Sequence, residues 1–400
     1  TETISAVSKD AMLADSKAFA AMMKHVKIID GAAGTVIMIQ VENEVGVIGG
    51  TRDHSEMADA QFAKPVPSEL IASLTKYKDE LQPELKKLWG AAGFKSSGTW
   101  AEVFGKGPAA DEAFMAWNYA SYINTVAKAG KAAYNIPMFV NTWVVQPEDK
   151  KPGDYPSGGP QVHVHDIWRA AAPAIDIKAP DVYLPDYVGI TSRYHHYWNP
   201  LFEPESFSGD EGAANAFYLI GAQNGIGYSP FGIDKKEKEP ANTPIGKAYR
   251  VLSQLSPQIL AAQSAGTIKA FKLTRTDTIQ HVELGGYKIT ITLKSDWNGK
   301  TLASRGYGLV IYDGPDQFTV AGSDINVTFV PLTSTPRIAG LLSVKEGTYQ
   351  NGLWIPGREL NGDEVMISYH LANEAAANKS GTGAKFNTDP AIYKIKLYQY

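Results

Sequence analysis

Two stretches of this chain end in carboxylates where a buried strand should end in nothing polar. The first is Thr35-Val-Ile-Met-Ile-Gln-Val-Glu-Asn-Glu-Val-Gly46, an apolar, β-branched run that stops at Glu42, Asn43 and Glu44. The second is Asn199-Pro-Leu-Phe-Glu-Pro-Glu205, which carries Glu203 and Glu205. Unpaired charges avoid the interior, whereas acidic residues at the C-terminal ends of parallel strands are where a barrel enzyme keeps its chemistry. Two carboxyl groups brought to about 5–5.5 Å of each other can open a glycosidic bond by double displacement, one as acid/base and the other as nucleophile. Trp143, Tyr183 with Asp186, and Tyr228 close other short apolar runs and are candidates to meet a ligand. His163, His165 and Asp166, and the pair His195 and His196, have the spacing of metal ligands but lack a third ligand of known geometry.

Those ends need a scaffold of alternating strands and helices. Residues 11–28 read as a helix, with Phe19, Met22, Met23 and Val26 on one face. Ser68 reads as the cap of a second helix, whose buried stripe is Leu70, Ile71, Leu74 and Tyr77. Residues 88–107 read as a glycine-dotted connection, and residues 111–133 as a long helix carrying Phe114, Trp117 and Tyr122. A strand is expected at 137–143, emptying into a long loop at 146–160, which its length marks as functional or mobile. Strands follow at 181–187, 199–205 and 225–231, with helices at 166–174, 213–222 and 247–264. Strand and helix alternate, which implies parallel strands joined by right-handed crossovers.

Near residue 265 the helical periods stop. Short alternating runs begin, separated by Asn298-Gly299, Asp313-Gly314, Asn351-Gly352 and Asn361-Gly362, the dipeptides of tight hairpins. Residues 265–400 therefore read as an all-β sandwich or jelly roll, with a polar loop over 372–389.

Composition narrows the function classes. The chain has 400 residues, 44% of them hydrophobic and 20% charged, as in an ordinary globular protein. A net charge of −4 argues against nucleic acid as partner, and no apolar stretch reaches the length of a membrane span. The absence of cysteine removes disulfides, thiolate metal sites and a cysteine nucleophile. Eight Trp and 20 Tyr would suit a cleft that stacks sugar rings, and would equally suit a tyrosine-rich sheet. The first residue is Thr and no signal peptide is visible, so either a leader has been removed or the chain begins partway through a longer product.

Gln40-Val-Glu-Asn-Glu-Val-Gly46 resembles the Gln-X-Glu-Asn-Glu-Tyr-Gly signature of glycoside hydrolase family 35, with Val45 standing where Tyr is commoner. The resemblance implies a retaining β-galactosidase of the TIM-type (β/α)8-barrel clan that needs no cofactor. It implies that residues 1–264 supply strands four to eight of that barrel, and that residues 265–400 are the accessory β-domain of a bacterial subgroup. It assigns Glu44 as acid/base, Asn43 to the sugar 2-hydroxyl, and Glu205 as the nucleophile closing strand seven. Glu203 stands where the family has an aliphatic residue. Tyr183 and Asp186 would fall at the sixth-strand position, and Trp143 reads equally as a sugar platform or a core residue. The partners implied are a β-galactoside or oligosaccharide, a separate N-terminal fragment completing the barrel, and a second copy in a homo-oligomer. A polysaccharide-degrading family without cysteine suggests a periplasmic or secreted site. The alternative is a carbohydrate-binding or assembly subunit without turnover.

Overall fold

A computed structural model describes residues 4–234, 240–295, 300–333, 338–370 and 380–400. The chain divides into two compact units, Thr1–Glu205 and Ser206–Tyr400.

The first unit opens with α1 (Lys9–Asp30), which Ser8 caps by accepting from the Ala11 amide. Its long partner is α6 (Pro108–Ala133). The two approach closely at Gly130, where a Cβ would lie 2.3 Å from the Phe19 ring, so no larger residue fits. Between them come β1 (Ile39–Gln40), α2 (Glu56–Phe62), α3 (Ser68–Lys76), α4 (Pro83–Ala91) and α5 (Trp100–Phe104). The end of α4 and all of α5 lie in residues 88–107, which read as a connection. Pro83 in the first turn of α4 and the Thr99–Glu102 capping box of α5 start them. Trp89, Trp100 and Phe104 bury there, each contributing about 1.5–3 kcal/mol of hydrophobic stabilisation. After α6 come β2 (Met138–Trp143), α7 (His165–Ala171), β3 (Ile177–Val182), α8 (Tyr187–Tyr194), β4 (Phe202–Glu203) and β5 (Glu205–Ser206).

Four of these strands form one sheet in the order β1-β2-β3-β5. β1 runs parallel to β2, pairing Gln40 with Phe139, and β2 runs parallel to β3, pairing Trp143 with Asp181. Met138 and Val140 join the helix-side core with Met23, Leu70, Trp89, Phe114 and Trp168. The alternate residues Phe139, Ile177 and Ala179 meet Phe202 in a small cluster on the other face. The sheet is a curled, parallel half-barrel.

This corrects the expectation of a TIM-type (β/α)8 barrel entered at strand four. The apolar run at 35–41 pairs only over Ile39–Gln40. The run at 199–205 is broken by Pro204, which has no N–H for a ladder, into the dipeptides of β4 and β5. The strand placed at 181–187 begins earlier, as β3, and stops at Val182; residues 183–186 turn the chain and only Tyr187 lies in α8. The run at 225–231 shrinks to β6 (Gly227–Tyr228), in the second unit.

The second unit begins with α9 (Asp210–Ala222), followed by β6 and α10 (Pro244–Ala265). It continues as antiparallel strands: β7 (Ile268–Thr274), β8 (Ile279–Leu284), β9 (Tyr287–Leu293), β10 (Arg305–Gly314), β11 (Gln317–Ser323), β12 (Ile325–Pro331), β13 (Ala339–Gln350), β14 (Leu353–Glu359), β15 (Val365–His370), β16 (Ser380–Lys385) and β17 (Ala391–Gln399). One sheet has the order β14-β13-β17-β11-β10-β7 and the other β15-β16-β12-β9-β8. Ile289, Ile291, Val327 and Phe329 of the smaller sheet pack on Phe318, Val320, Tyr393 and Ile395 of the larger, so the two sheets share one core. The all-β expectation therefore agrees with the structure. Asn351 and Gly352 turn β13 into β14 with φ of 51° and 78°, the signature of a tight primed hairpin turn. β16 occupies part of the run expected to be a loop, of which residues 371–379 lie outside the described residues, as does Asn298-Gly299. No helix among the described residues is long and apolar enough to cross a membrane.

Candidate active site

The carboxylates collect at the C-terminal edge of the half-barrel. β1 ends at Gln40, and the chain turns at once through Glu42 (φ 61°) and Glu44 (φ 44°), both in the left-handed region that side-chain-bearing residues avoid. Each costs about 1–2 kcal/mol, and such strain persists only where surrounding bonds over-determine it. Here those bonds are side-chain amides. Asn141, on β2 and 1% exposed, accepts the Glu44 amide on its Oδ1 at 2.9 Å and the Gln40 Nε2 at 3.1 Å. Its Nδ2 donates to Asn43 Oδ1 at 3.0 Å and to Asp181 Oδ2 at 2.8 Å. Gln40 Nε2 also reaches Asn43 Oδ1, at 3.0 Å, and the Glu42 carbonyl, at 3.1 Å. One buried amide thereby ties the turn after β1 to the end of β3.

A second anchor holds the same turn. Gly46 adopts φ 151°, and a Cβ on it would lie 2.5 Å from the Pro156 carbonyl carbon. Directly after it, Val47 and Ser157 exchange backbone hydrogen bonds of 3.0 and 2.9 Å. The long loop at 146–160 is thus a packed buttress, with residues 155–160 buried.

Glu44, Asp181 and Glu205 each bring an oxygen within 4.8 Å of the other two. Burial raises the Glu44 pKa, the charge of Glu205 raises it further, and its hydrogen bond with Asp181 opposes both. Asp181 is pushed up much further, by burial first, then by its bond with Glu44 and the charges of Glu205 and Glu44. The Tyr183 hydroxyl donates to Glu205 Oε1 at 3.0 Å, and burial together with that anion raises the phenol pKa. Burial and mutual charge thus oppose ionisation of Glu44 and Asp181, while the Tyr183 phenol donates to Glu205.

The other expected residues fall as follows. Asn43 belongs to the amide network. Trp143 ends β2, 42% exposed, in register with Asp181, and its carbonyl accepts from Gln161 Nε2. Asp186 is the N-cap of α8, accepting the Gly189 amide at 3.1 Å, so its carboxyl serves a helix end. Glu203 is fully buried and accepts from the Tyr187 hydroxyl. Glu42 lines a cavity of about 430 Å³ with Asn43, Glu44, Asp15, Tyr119 and Tyr122. Burial raises its pKa, and Asp15 adds to the shift.

Neither Asp181 nor Asn141 stands out in the sequence, because a strand over 181–187 has Asp181 at its beginning and Asn141 falls inside an apolar run. The available signal is Ile177-Lys-Ala-Pro-Asp-Val182, a short run with a carboxylate near its C-terminal end, as the run at 35–41 leads into Glu42. The histidines form no ligand set among the described residues. His163 bonds Glu112 at 2.9 Å, and Asp166 accepts the Gln82 amide at 2.8 Å. His165 is buried among Tyr194, His196 and Trp198, and burial drives its pKa well down. Among the described residues, Glu44, Asp181 and Glu205 are the one group of three whose donor atoms lie close enough to share an ion. An all-carboxylate group is also what a two-carboxylate hydrolase requires, and we assign no metal to it.

Residues 245–372 match the family model of a domain of unknown function, DUF5597. The match takes in α10 and most of the antiparallel module, and it leaves Glu44, Asp181 and Glu205 outside. No curated protein matches the chain.

Proposed function

We propose that the protein is a retaining exo-glycosidase that removes terminal β-galactosyl residues from a β-galactoside or oligosaccharide. The observation that carries this reading is the approach of Glu44 and Glu205, with carboxylate oxygens within 4.8 Å at one strand edge. An approach of that order fits the roughly 5–5.5 Å between the carboxyl groups of a nucleophile and its acid/base better than the roughly 6.5–9.5 Å of an inverting pair. The galactoside specificity rests on the resemblance of Gln40–Gly46 to the family 35 signature.

In the first step Glu44 donates its proton to the glycosidic oxygen while Glu205 attacks the anomeric carbon. The carbon–oxygen bond to the leaving group breaks and an ester to Glu205 forms. Burial and the Glu205 charge raise the Glu44 pKa against its hydrogen bond with Asp181, which is the direction a general acid needs. In the second step the Glu44 carboxylate takes a proton from water, whose oxygen displaces Glu205 from the anomeric carbon. Tyr183 steadies the Glu205 anion before attack and as it leaves. Both steps use only this chain's side chains.

The test is hydrolysis of a nitrophenyl β-galactoside. Glu205→Gln should abolish turnover. Glu205→Ala should be rescued by azide with inversion, giving the α-galactosyl azide, and Glu44→Ala by azide with retention. Wild-type rates in both Glu44 and Glu205 variants would refute the assignment. The competing reading, a carbohydrate-binding subunit, draws on the parallel sheet being half a barrel. It requires galactose binding by calorimetry with no nitrophenol released.

A further inference from the structure

Three carboxyl groups meet at this edge, and double displacement uses two. Asp181 is the third and the deepest, 3% exposed, while Glu44 and Glu205 are half-buried. Its Oδ2 accepts from Asn141. Its Oδ1 is buried, and no donor among the described residues reaches it. Against the Asp181 carboxyl lies the Glu44 carboxyl, another acceptor, with an oxygen of Glu205 within 4.8 Å. An ionised Asp181 would leave a buried lone pair unsatisfied and crowd three like charges together, and both are costly. A proton on Oδ1 removes both costs, because it converts the orphan acceptor into a donor toward Glu44.

We propose that Asp181 is held as a neutral carboxylic acid and is a positioning residue, donating its Oδ1 proton to the Glu44 carboxylate in the half of the cycle when Glu44 is ionised. This rests on the reading of Glu44 and Glu205 as the reacting pair. Once Glu44 has protonated the leaving group it is an anion beside the ester of Glu205, and the Asp181 hydroxyl stabilises it. Asp181 never gives its proton up, so the proton count of the reaction is unchanged. The titratable groups facing it are Glu44 from the turn after β1, Glu205 from β5, Tyr183 just beyond β3 and Tyr194 of α8. Burial and the two glutamate charges act in the direction the proposal needs.

The test compares Asp181→Asn with Asp181→Ala. An amide reproduces the neutral acid: its oxygen accepts from Asn141 and its NH₂ donates to Glu44. Loss of one preorganised donor in the alanine variant should lower kcat by about a hundredfold. It should also move the acid limb of the kcat profile to higher pH, because the Glu44 base of the glycosyl-enzyme loses its stabilising donor. The asparagine variant should lose less and keep both limbs in place. Had Asp181 been ionised, Asn would remove a negative charge beside Glu44, and the alkaline limb of kcat/KM would fall to lower pH; that result overturns the proposal. Thermal unfolding supplies a readout independent of activity. A carboxyl protonated in the fold and ionised in the unfolded chain contributes stability that is complete below the ordinary carboxylate range and is lost as pH rises toward its raised folded value. The Tm of Asp181→Asn minus that of wild type should therefore widen from about pH 5 to about pH 8. A gap that is flat or narrows refutes the neutral acid. Infrared spectroscopy of the wild type should show a buried protonated-carboxyl band that Asp181→Asn removes, and its absence also refutes it. If the gap widens but no aryl glycoside is hydrolysed, the neutral acid stands and the glycosidase reading falls.

Discussion

Tyr183 and Tyr187 follow β3 at an interval of four residues and serve two glutamates separated by one. Tyr183 donates to Glu205 and Tyr187 to Glu203. The pairing separates the two carboxylates by environment. Glu203 is sealed from solvent beneath its tyrosine, while Glu205 remains half-open beside Glu44 and Asp181. A nucleophile has to be reached by substrate, so exposure favours Glu205. Replacing Tyr183 by Phe removes a donor to a charged acceptor in a partly open site and should lower kcat by about tenfold, at the low end for such a bond. Initial rates on an aryl β-galactoside would check this, and unchanged kcat and KM would show that the bond plays no part in turnover.

At the scale of elements, the site depends on a turn held from two sides. β1 contributes only Ile39–Gln40 to the sheet, too little to aim the residues that follow it. The aim comes from Asn141 on β2 and from the packed loop at 153–160, on which Gly46 sits. Gly46→Ala would combine an unfavourable φ with overlap against Pro156, and should cost about 1–3 kcal/mol of stability in line with overpacking elsewhere. Displacing the turn moves Asn43 and Glu44, so kcat should fall at least tenfold, since small misplacements of catalytic groups are expensive. Denaturant unfolding beside the activity assay would separate the two effects; full activity with lowered stability would show that Pro156 buttresses the fold and not the site. The Gly of the motif is thus explained by backbone approach. Its Asn and Glu are explained by hydrogen bonding and charge.

At the scale of the whole molecule, each unit carries its own core, and every residue assigned to the chemistry lies in the first. In the second unit an ion-pair cluster ties α9 to the sheet. Glu211 meets Lys272 at 2.9 Å and also pairs with Arg305, and Lys272 reaches Asn215 at 2.5 Å. Burial raises the Glu211 pKa, but the bonds and charges of Lys272 and Arg305 outweigh it and leave it lowered. A lowered carboxylate contributes stability above its ordinary range and loses it as pH falls through its folded value. Glu211→Gln should therefore lower the Tm of the second unit's transition at pH 7. The difference from wild type should shrink as pH falls below about 4. A difference independent of pH would mean that Glu211 acts through packing alone.

Much of this protein is written locally. The long helices, the antiparallel module and its Asn351-Gly352 turn follow from periodicity and turn chemistry, which neighbouring residues set among themselves. So does the polar end of the run at Glu42–Glu44, together with its resemblance to a glycosidase signature. The extent of the parallel sheet was not legible in this way. An apolar run such as 35–41 is compatible with a full strand, and only its partners determine that it pairs at Ile39 and Gln40. Asp181 and Asn141 were invisible for the same reason. An Asp after Pro and an Asn within a strand look ordinary until three separate segments bury them beside Glu44 and Glu205. Residue types and their order determined that carboxylates stand at strand ends. Tertiary structure alone decided that three of them converge, because desolvation and like-charge repulsion arise only between groups the fold has brought together.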